Sequence, residues 1–589
     1  MSEQGPVSPS GPNLPASNVA DSDDRTQRTA RRDFIDTRIG QLEEEIRKWK
    51  SERNELSEIA RLPPEVLSRV FIHYQRLCTS SSAPTLFYSA IKPFSWTKVA
   101  HVSRYWRNTA LGCPALWSNV EATTNVRRAQ VMFERSKQAP ISLTFSTQSA
   151  DRPELVTIIK DACSQPRRLK GLKILGYNDF VRQRLEELMS PAPNLQSLEL
   201  RCDMIMVGDG TPSIPDGLLG GEAPMLRTLH LNGYKFTWPA LSVFSGLTVL
   251  NLSAFSREPG DFPDPEPFFQ GLEALPNLRE LELDIPLPIV PLATVRVVRL
   301  PQLEFLGLRG CLRECDNVLK HLAVSSSLSA TLEISRHPQD TAANATAFGQ
   351  AVSHVLGRVL RSLTLDSNLY GSTIRGHATG MEEDNDWYSA EPILTIHLDT
   401  NGFLPELLTA LPLNDLLALD LNIGCNHKIL APLSRLPSVR TVYADRVASE
   451  DFILYASKDP AFAPTRSRKG TSKKKKAAAK PKKLKRFASV RRLVLEAADF
   501  QSIDIECFLD WLMMRYEMGG EIEEVELAAC VRLYWDDVQR IEEVVVDVDW
   551  DGDVNDCYSE EEDEDDDDDD DDVLYAGCGL PGCITCFGL

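Results

Sequence analysis

Residues Pro193-Asn-Leu-Gln-Ser-Leu-Glu-Leu200 set the reading of this chain, because the same phrase returns along it. It recurs as Arg168-Leu-Lys-Gly-Leu-Lys-Ile174, Pro224-Met-Leu-Arg-Thr-Leu-His-Leu231 and Gly246-Leu-Thr-Val-Leu-Asn-Leu252. Pro276-Asn-Leu-Arg-Glu-Leu-Glu-Leu283 and Pro301-Gln-Leu-Glu-Phe-Leu-Gly-Leu308 continue the series. The central leucines 172, 198, 229, 250, 281 and 306 stand 21 to 31 residues apart. Weaker copies centre on Leu332, Leu363, Ile396, Leu419, Val442, Leu493 and Val525. Alternating leucines predict one short strand per copy, with the leucines on one face. No single copy can bury that face alone, so the copies must stack.

The pattern L-x-x-L-x-L at this period is the leucine-rich-repeat signature. The asparagine that usually follows the strand is mostly missing, since Asp203, Tyr234 and Phe255 stand there. The expectation is an irregular horseshoe with unequal loops over 165–463, resuming over 487–545. Residues 121–164 read as a linker to it. The fold class is therefore an α/β repeat, preceded by a small all-α module.

That module is read from residues 61–120. Arg61-Leu-Pro-Pro-Glu-Val-Leu-Ser-Arg-Val-Phe71 is followed by a Ser-rich loop, then Trp96-Thr-Lys-Val-Ala-His-Val-Ser-Arg-Tyr-Trp-Arg107, then Pro114-Ala-Leu-Trp117. Pro63 and Pro64 suit a first helical turn, where a missing N–H costs nothing. Val66, Leu67, Val70 and Phe71 form one apolar face; Val99, Val102, Trp106 and Ala110 form a second. A three-helix unit is expected. These residues resemble the F-box family in the form common in mushroom-forming (basidiomycete) fungi. The resemblance covers residues 33–145 and departs from the family in the long loop 77–95. It implies docking of a Skp-type adaptor and, through it, a cullin ubiquitin ligase. The implied adaptor-binding residues are Leu62, Pro63, Pro64, Val66, Leu67, Val102 and Trp106.

Upstream, residues 33–60 read as an amphipathic helix. Ile35, Ile39, Leu42, Ile46, Trp49, Leu56 and Ala60 follow a 4-3-4-3 spacing that Arg53 interrupts. Two readings stand: a helix packed on the next domain, or a short homodimeric coiled coil. Residues 1–32 read as a disordered tail.

In each repeat the residue between the last two leucines points away from the core. That column reads Glu199, Glu282, Glu333, Asp420 and Glu526, with Lys173 and His230 as exceptions. The next outward column adds Asp284, Asp366 and Asp399 against Arg201 and Arg309. These acids are the candidate substrate-binding residues, and they imply a basic protein ligand or, equally, a merely solvated acidic sheet.

The chain carries a net charge of −21, with 64 basic and 85 acidic residues. Residues 466–486 hold 12 bases and no acid; residues 560–572 are an unbroken run of 13 acids. Removing both leaves 52 basic and 72 acidic residues, a body that repels nucleic acid. The insertion 464–486 carries Lys473, Lys474, Lys475, Lys476, Lys482, Lys483, Lys485 and Arg486, the composition of a nuclear import signal, although a solvated loop or a nucleic-acid contact stays open. Residues 546–589 read as an acidic disordered tail. Within it, 547–558 matches a calcium loop at several positions but puts Tyr558 where a bidentate Glu is needed. Cys578, Cys583 and Cys586 lack a fourth metal ligand.

Several function classes find no motif. There is no phosphate-binding Gly loop, no nucleophile elbow and no Cys/His spacing that proposes catalysis or a cofactor. The first 24 residues lack the basic and apolar regions of a secretory signal, and no apolar run reaches the roughly 18 residues of a membrane helix. The 13 cysteines are then expected as reduced thiols in a nuclear and/or cytoplasmic protein. The functional expectation is a non-catalytic substrate receptor of a Skp/cullin-type (SCF) ubiquitin ligase. The alternative is an F-box/leucine-rich-repeat scaffold without a ligase role.

Overall fold

A computed structural model describes residues 18–79, 94–202, 212–215, 217–242, 244–254, 262–292, 296–368, 371–379, 391–462 and 483–552. The chain divides into two compact units, residues 1–358 and 359–589. It is a mixed α/β protein built on long runs of parallel strand.

The first unit opens with helix α1, Asn18–Glu55. It starts well before residue 33, so the expected tail is helical from Asn18 on. Helices α2, Pro64–Thr79, and α3, Arg104–Gly112, follow, with short 3-10 turns at Ser95–His101 and Pro114–Trp117. The single helical face expected from Val99 to Ala110 is broken in two. Ser103 leaves helical geometry and its hydroxyl accepts from the Trp106 amide, capping α3. The core of this module is Leu67, Phe71, Trp96, Val99, Ala110, Leu116 and Trp117. Trp96 meets Trp117 edge-on at 5.4 Å, and Phe71 meets Trp106 at 5.1 Å. Buried Gln75 donates to the Leu116 carbonyl at 3.0 Å, and the Trp117 indole to the Ala110 carbonyl at 2.8 Å. Both of these polar groups thus keep a partner on leaving water.

The sheet begins directly after Trp117. Its strands are β1 Asn119–Ala122, β2 Ile141–Ser146, β3 Leu169–Leu175, β4 Ser197–Arg201, β5 Thr228–Asn232, β6 Val249–Ser253 and β7 Glu280–Asp284. A short strand β8, Val298–Leu300, precedes β9, Phe305–Gly310; β10, Leu322–Val324, precedes β11, Ser329–Ile334. β8 and β10 pair only with each other. The other nine pair parallel, each with the next in the chain. Residues 121–164 are therefore not a linker. They supply two strands and two helices, α4 Val126–Ser136 and α5 Pro153–Cys163, and the sheet starts at Asn119 rather than near residue 165. Parallel neighbours need a crossover, which explains the helices between strands.

The register bears out the phase of the strong copies. Leu172, Leu198, Leu229, Leu250, Leu281 and Leu306 lie side by side across the sheet, and all are buried. The copy on Leu332 is out of phase by two residues. Leu332 pairs with Leu308, and Ala330 takes the central position beside Leu306. Where the usual asparagine is missing, the main chain extends the ladder by one residue. Gly176, Cys202, Gly233 and Ala254 each donate to the last carbonyl of the next strand, at 2.6 to 2.9 Å. Buried Tyr234 adds a hydroxyl bond to the Gly176 carbonyl at 3.4 Å.

The second unit holds β12 Ser362–Asn368, β13 Gly371–His377, β14 Leu394–Leu398, β15 Ala418–Asn422, β16 Thr441–Asp445, β17 Arg492–Glu496, β18 Glu524–Ala528 and β19 Asp547–Trp550. From β15 on the series is parallel and sequential, with Leu363, Leu419, Val442, Leu493 and Val525 in register. The copy on Ile396 is not stacked in that series. β13 runs antiparallel between β12 and β14, so Ile396 faces Ile374, while β12 pairs directly with β15. β19 carries the sheet past residue 545, and it makes Asp547–Trp550 a paired strand rather than the start of a calcium-binding loop.

The chain re-enters this sheet after the basic insertion through Phe487–Val490. Arg515, on helix α6, Ile505–Glu517, donates to the carbonyls of Phe487 at 3.1 Å and Val490 at 2.9 Å. Burial of its guanidinium pushes its pKa down to about 10.

The inserted strand β13 depends on one residue. Gly371 has φ +148, and a Cβ there would stand 1.8 Å from the Leu398 carbonyl oxygen on β14. Replacing Gly371 with Ala should lower stability by roughly 1–3 kcal/mol, read as a lower Tm by scanning calorimetry. Gly424→Ala, whose Cβ would meet nothing nearer than 3.8 Å, should leave Tm nearly unchanged.

Candidate functional site

Two surfaces carry the sequence-predicted site residues: the outer side of α2 and the outward columns of the two sheets. On α2 the broad apolar face splits. Leu67, Phe71, Gln75 and Cys78 turn inward, while Val66, Val70, Tyr74 and Leu77 form an exposed row one helical turn apart. Pro63, Pro64 and Val102 are exposed as well, Val102 at 55%. Leu62 and Trp106 are half-buried; the Tyr105 hydroxyl holds the Leu62 carbonyl at 2.5 Å. Leu67 is fully buried, so it cannot touch a partner and acts instead as the anchor of α2 on its neighbours. Tyr74 and Leu77 were missed by the sequence reading, and Val70 was read on the apolar face but not among the adaptor-binding residues. Their spacing could have revealed them, since a helix apolar over so wide an arc cannot bury all of it against one small core.

Beside this module, a groove of about 1030 Å³ runs onto the start of the sheet. It is lined by Phe94, Trp96 and Gln75 on one side and by Glu121, Lys173 and Ser197 on the other.

The outward columns fall largely where alternation put them. In the first unit Lys173, Glu199, His230, Asn251 and Glu282 share one column. Glu333 does not: the two-residue phase shift pairs it with Arg309, in the column of Asp284, and leaves Thr331 opposite Gly307. In the second unit Thr364, Asp420, Tyr443, Val494 and Glu526 align. Asp366 lies opposite Asn422, and Asp399 stands exposed just beyond β14.

Most of these acids meet a base within the sheet. Lys173 sits 2.8 Å from Glu199, and Arg309 reaches both Asp284 at 3.4 Å and Glu333 at 3.0 Å. Arg375 pairs with Asp366, and Arg492 bridges Glu524 and Glu526, both at 2.9 Å. Glu282 is exposed and accepts from the Asn251 amide. Its pKa is raised by partial burial, by Asp284 and by Glu333, against the lowering effect of His230 and Asn251. The excess of acids counted along the columns is thus offset locally, and the face is a mosaic of paired charges.

Asp420 corrects the sequence reading most sharply. It was expected on the exposed face, yet it is only 2% exposed. Its carboxylate accepts from the Asn422 amide at 3.2 Å, and the same amide reaches Asp366 at 3.0 Å. Burial first, and the neighbouring Asp366 second, push its pKa up to about 7. A buried carboxylate of this kind is not a free contact for a ligand.

Of the import-signal residues, Lys473–Lys476 and Lys482 lie outside the described residues. Lys483 and Lys485 are exposed, but the amides of Lys485 and Arg486 donate to Asp459 at 2.7 and 2.8 Å, and the Arg486 guanidinium stacks 3.9 Å over Tyr455. Arg486 therefore belongs to the folded unit rather than to the insertion. The acidic run 560–572 and Cys578, Cys583 and Cys586 lie outside the described residues. Among the described residues no cluster of His, Cys, Asp or Glu is set to hold a metal, and no helix is long and apolar enough to cross a membrane.

The Asp420 environment predicts a pH effect. Its folded-state pKa of about 7 lies above the ordinary 3.8, so the folded protein holds a proton that the unfolded chain releases. Its contribution to stability is full below the unfolded value and is lost as pH rises through the folded value. Asp420→Asn should therefore raise Tm relative to the wild type at about pH 8, and that gain should shrink steadily toward about pH 4. A gain independent of pH would mean that Asp420 is ionised throughout. Comparison with protein-family models finds no match, and comparison with curated proteins finds none either.

Proposed function

We propose that this chain is the substrate-recognition subunit of a Skp/cullin-type ubiquitin ligase. In this reading the helical module is an F-box-like domain that docks a Skp-type adaptor. The parallel strands are an irregular leucine-rich-repeat horseshoe whose outward face takes the protein substrate. Ubiquitin transfer itself is then done by the other subunits.

The observation that carries the reading is the apolar surface of the module. Its own core is filled by Leu67, Phe71, Trp96 and Trp117, yet Pro63, Pro64, Val66, Val70 and Val102 stay outside. These residues lie within the stretch that resembles the F-box pattern, where an adaptor contact is expected. A contiguous exposed apolar patch marks an interaction surface.

For the substrate, the locally paired charges support recognition by shape and by matched charge pairs more than by a bulk acidic field. The basic-ligand reading rests mainly on Glu282, the exposed acid of its column. Its charge reversal, with that of Asp284, should remove basic proteins from those captured by the full chain.

The test of the adaptor contact is direct. Full-length protein should co-purify with a Skp-type adaptor and a cullin. Val66→Asp with Val70→Asp, both exposed, should weaken binding at least thirtyfold, roughly the 2 kcal/mol of a hot-spot loss, with unchanged circular dichroism. Failure of the wild-type chain to bind, or binding that ignores this double variant, would overturn the proposal. Binding of the adaptor without recruitment of a cullin would point to a scaffold with no ligase role.

A further inference from the structure

Helix α1 carries an apolar seam that no described residue of its own chain covers. Ile35, Ile39, Leu42, Ile46 and Trp49 repeat with alternating steps of four and three, and all are between 44% and 65% exposed. In heptad terms Ile39 and Ile46 are a positions; Ile35, Leu42 and Trp49 are d positions. The helix nevertheless touches the body of the protein, and it does so with its opposite side. Glu44 and Ser51 at f positions and Asn54 at a b position are the half-buried ones, and Arg104 of α3 approaches Glu44 at 3.9 Å. A shallow cavity between Asn54 on α1 and Ser103 and Tyr105 on the module marks the same side. The polar face is thus docked and the apolar face is turned outward, the reverse of a helix packed on its own domain.

The charges flanking the seam say what covers it. In a parallel, in-register pair of helices each g residue faces the e residue five positions on in the other copy. Here Arg31 would face Asp36, Arg38 would face Glu43, and Glu45 would face Lys50. All three pairs are opposite in sign. Of the two antiparallel registers that layer this seam, one sets Glu43 against Glu43 and Glu45 against Glu45, and the other sets Asp36 against Glu43, so neither makes every flanking pair opposite in sign. β-Branched Ile at a with Leu at d favours two strands over three or four. Arg53, at the next a position, then lies beside Glu52 of the other copy and ends the seam.

We infer that α1 forms a parallel, in-register, two-stranded coiled coil with α1 of a second copy of this chain. The dimer presents two copies of the helical module from one stem. The seam has only five apolar residues, so the dimer is one that dissociates on dilution.

Sedimentation velocity of the full-length protein tests this. At protein concentrations up to about 100 µM, the mass should rise from 65.7 kDa to twice that value. Ile39→Asp with Ile46→Asp should hold the protein at the monomer mass without lowering the Tm of the remaining fold. Glu45→Lys and Lys50→Glu should each weaken dimerisation severalfold at low salt, and the two together should restore it. A wild-type chain that stays monomeric, or a dimer indifferent to Ile39→Asp/Ile46→Asp, overturns the inference. Loss without restoration in the charge swap overturns the parallel arrangement.

Discussion

Most of the described strands of this protein depend on burying apolar side chains, leucines above all, that a single repeat cannot cover. In the first sheet Leu172, Leu198, Leu229, Leu250, Leu281 and Leu306 stand in one row, each sealed by its neighbours. A fully buried Leu contributes roughly 1.5–3 kcal/mol relative to an exposed one, so the row holds only if register is kept. A slip of one residue would turn each leucine to the opposite face. That constraint explains the one-residue extension of the backbone ladder beyond the strands, and it fixes where all outward side chains stand.

The same register decides the chemistry of the outward surface. Side chains from adjacent strands lie close enough to pair across the sheet. Lys173 meets Glu199, Arg309 meets Asp284 and Glu333, and Arg492 meets Glu524 and Glu526. Such half-exposed pairs contribute little to stability. They lower the net field of the face and leave recognition to its local pattern of charges. In the second unit the antiparallel strand β13 breaks the sequential order. Arg375 on that strand pairs with Asp366, which in turn lies next to buried Asp420.

The helical module and α1 show the opposite use of apolar residues. Leu67, Phe71 and the Trp96–Trp117 pair close a small core, and the surplus of Val66, Val70 and Val102 is presented outward. On α1 the surplus is the whole seam from Ile35 to Trp49. The module and α1 thus each present an apolar surface of their own beside a small core of packed aromatic rings.

The sequence by itself determined the strands and their inward leucines. Alternation is a local property: the pleat of a strand fixes which side chains share a face, whatever lies beyond. The outward positions of Glu199 and Glu282 were legible for the same reason. Only the tertiary structure decided which of those faces is covered. Leu67 and Val66 are adjacent in an equally apolar stretch, yet packing buries one and exposes the other. Asp420 reads as an outward acid, but the neighbourhood of β12 and β15 takes it out of water. The phase shift at Leu332, the inserted β13 and the strands at 119–146 escaped for a related reason. Each is fixed by pairing with residues far along the chain, and a periodic pattern carries no record of which distant segment lies beside it.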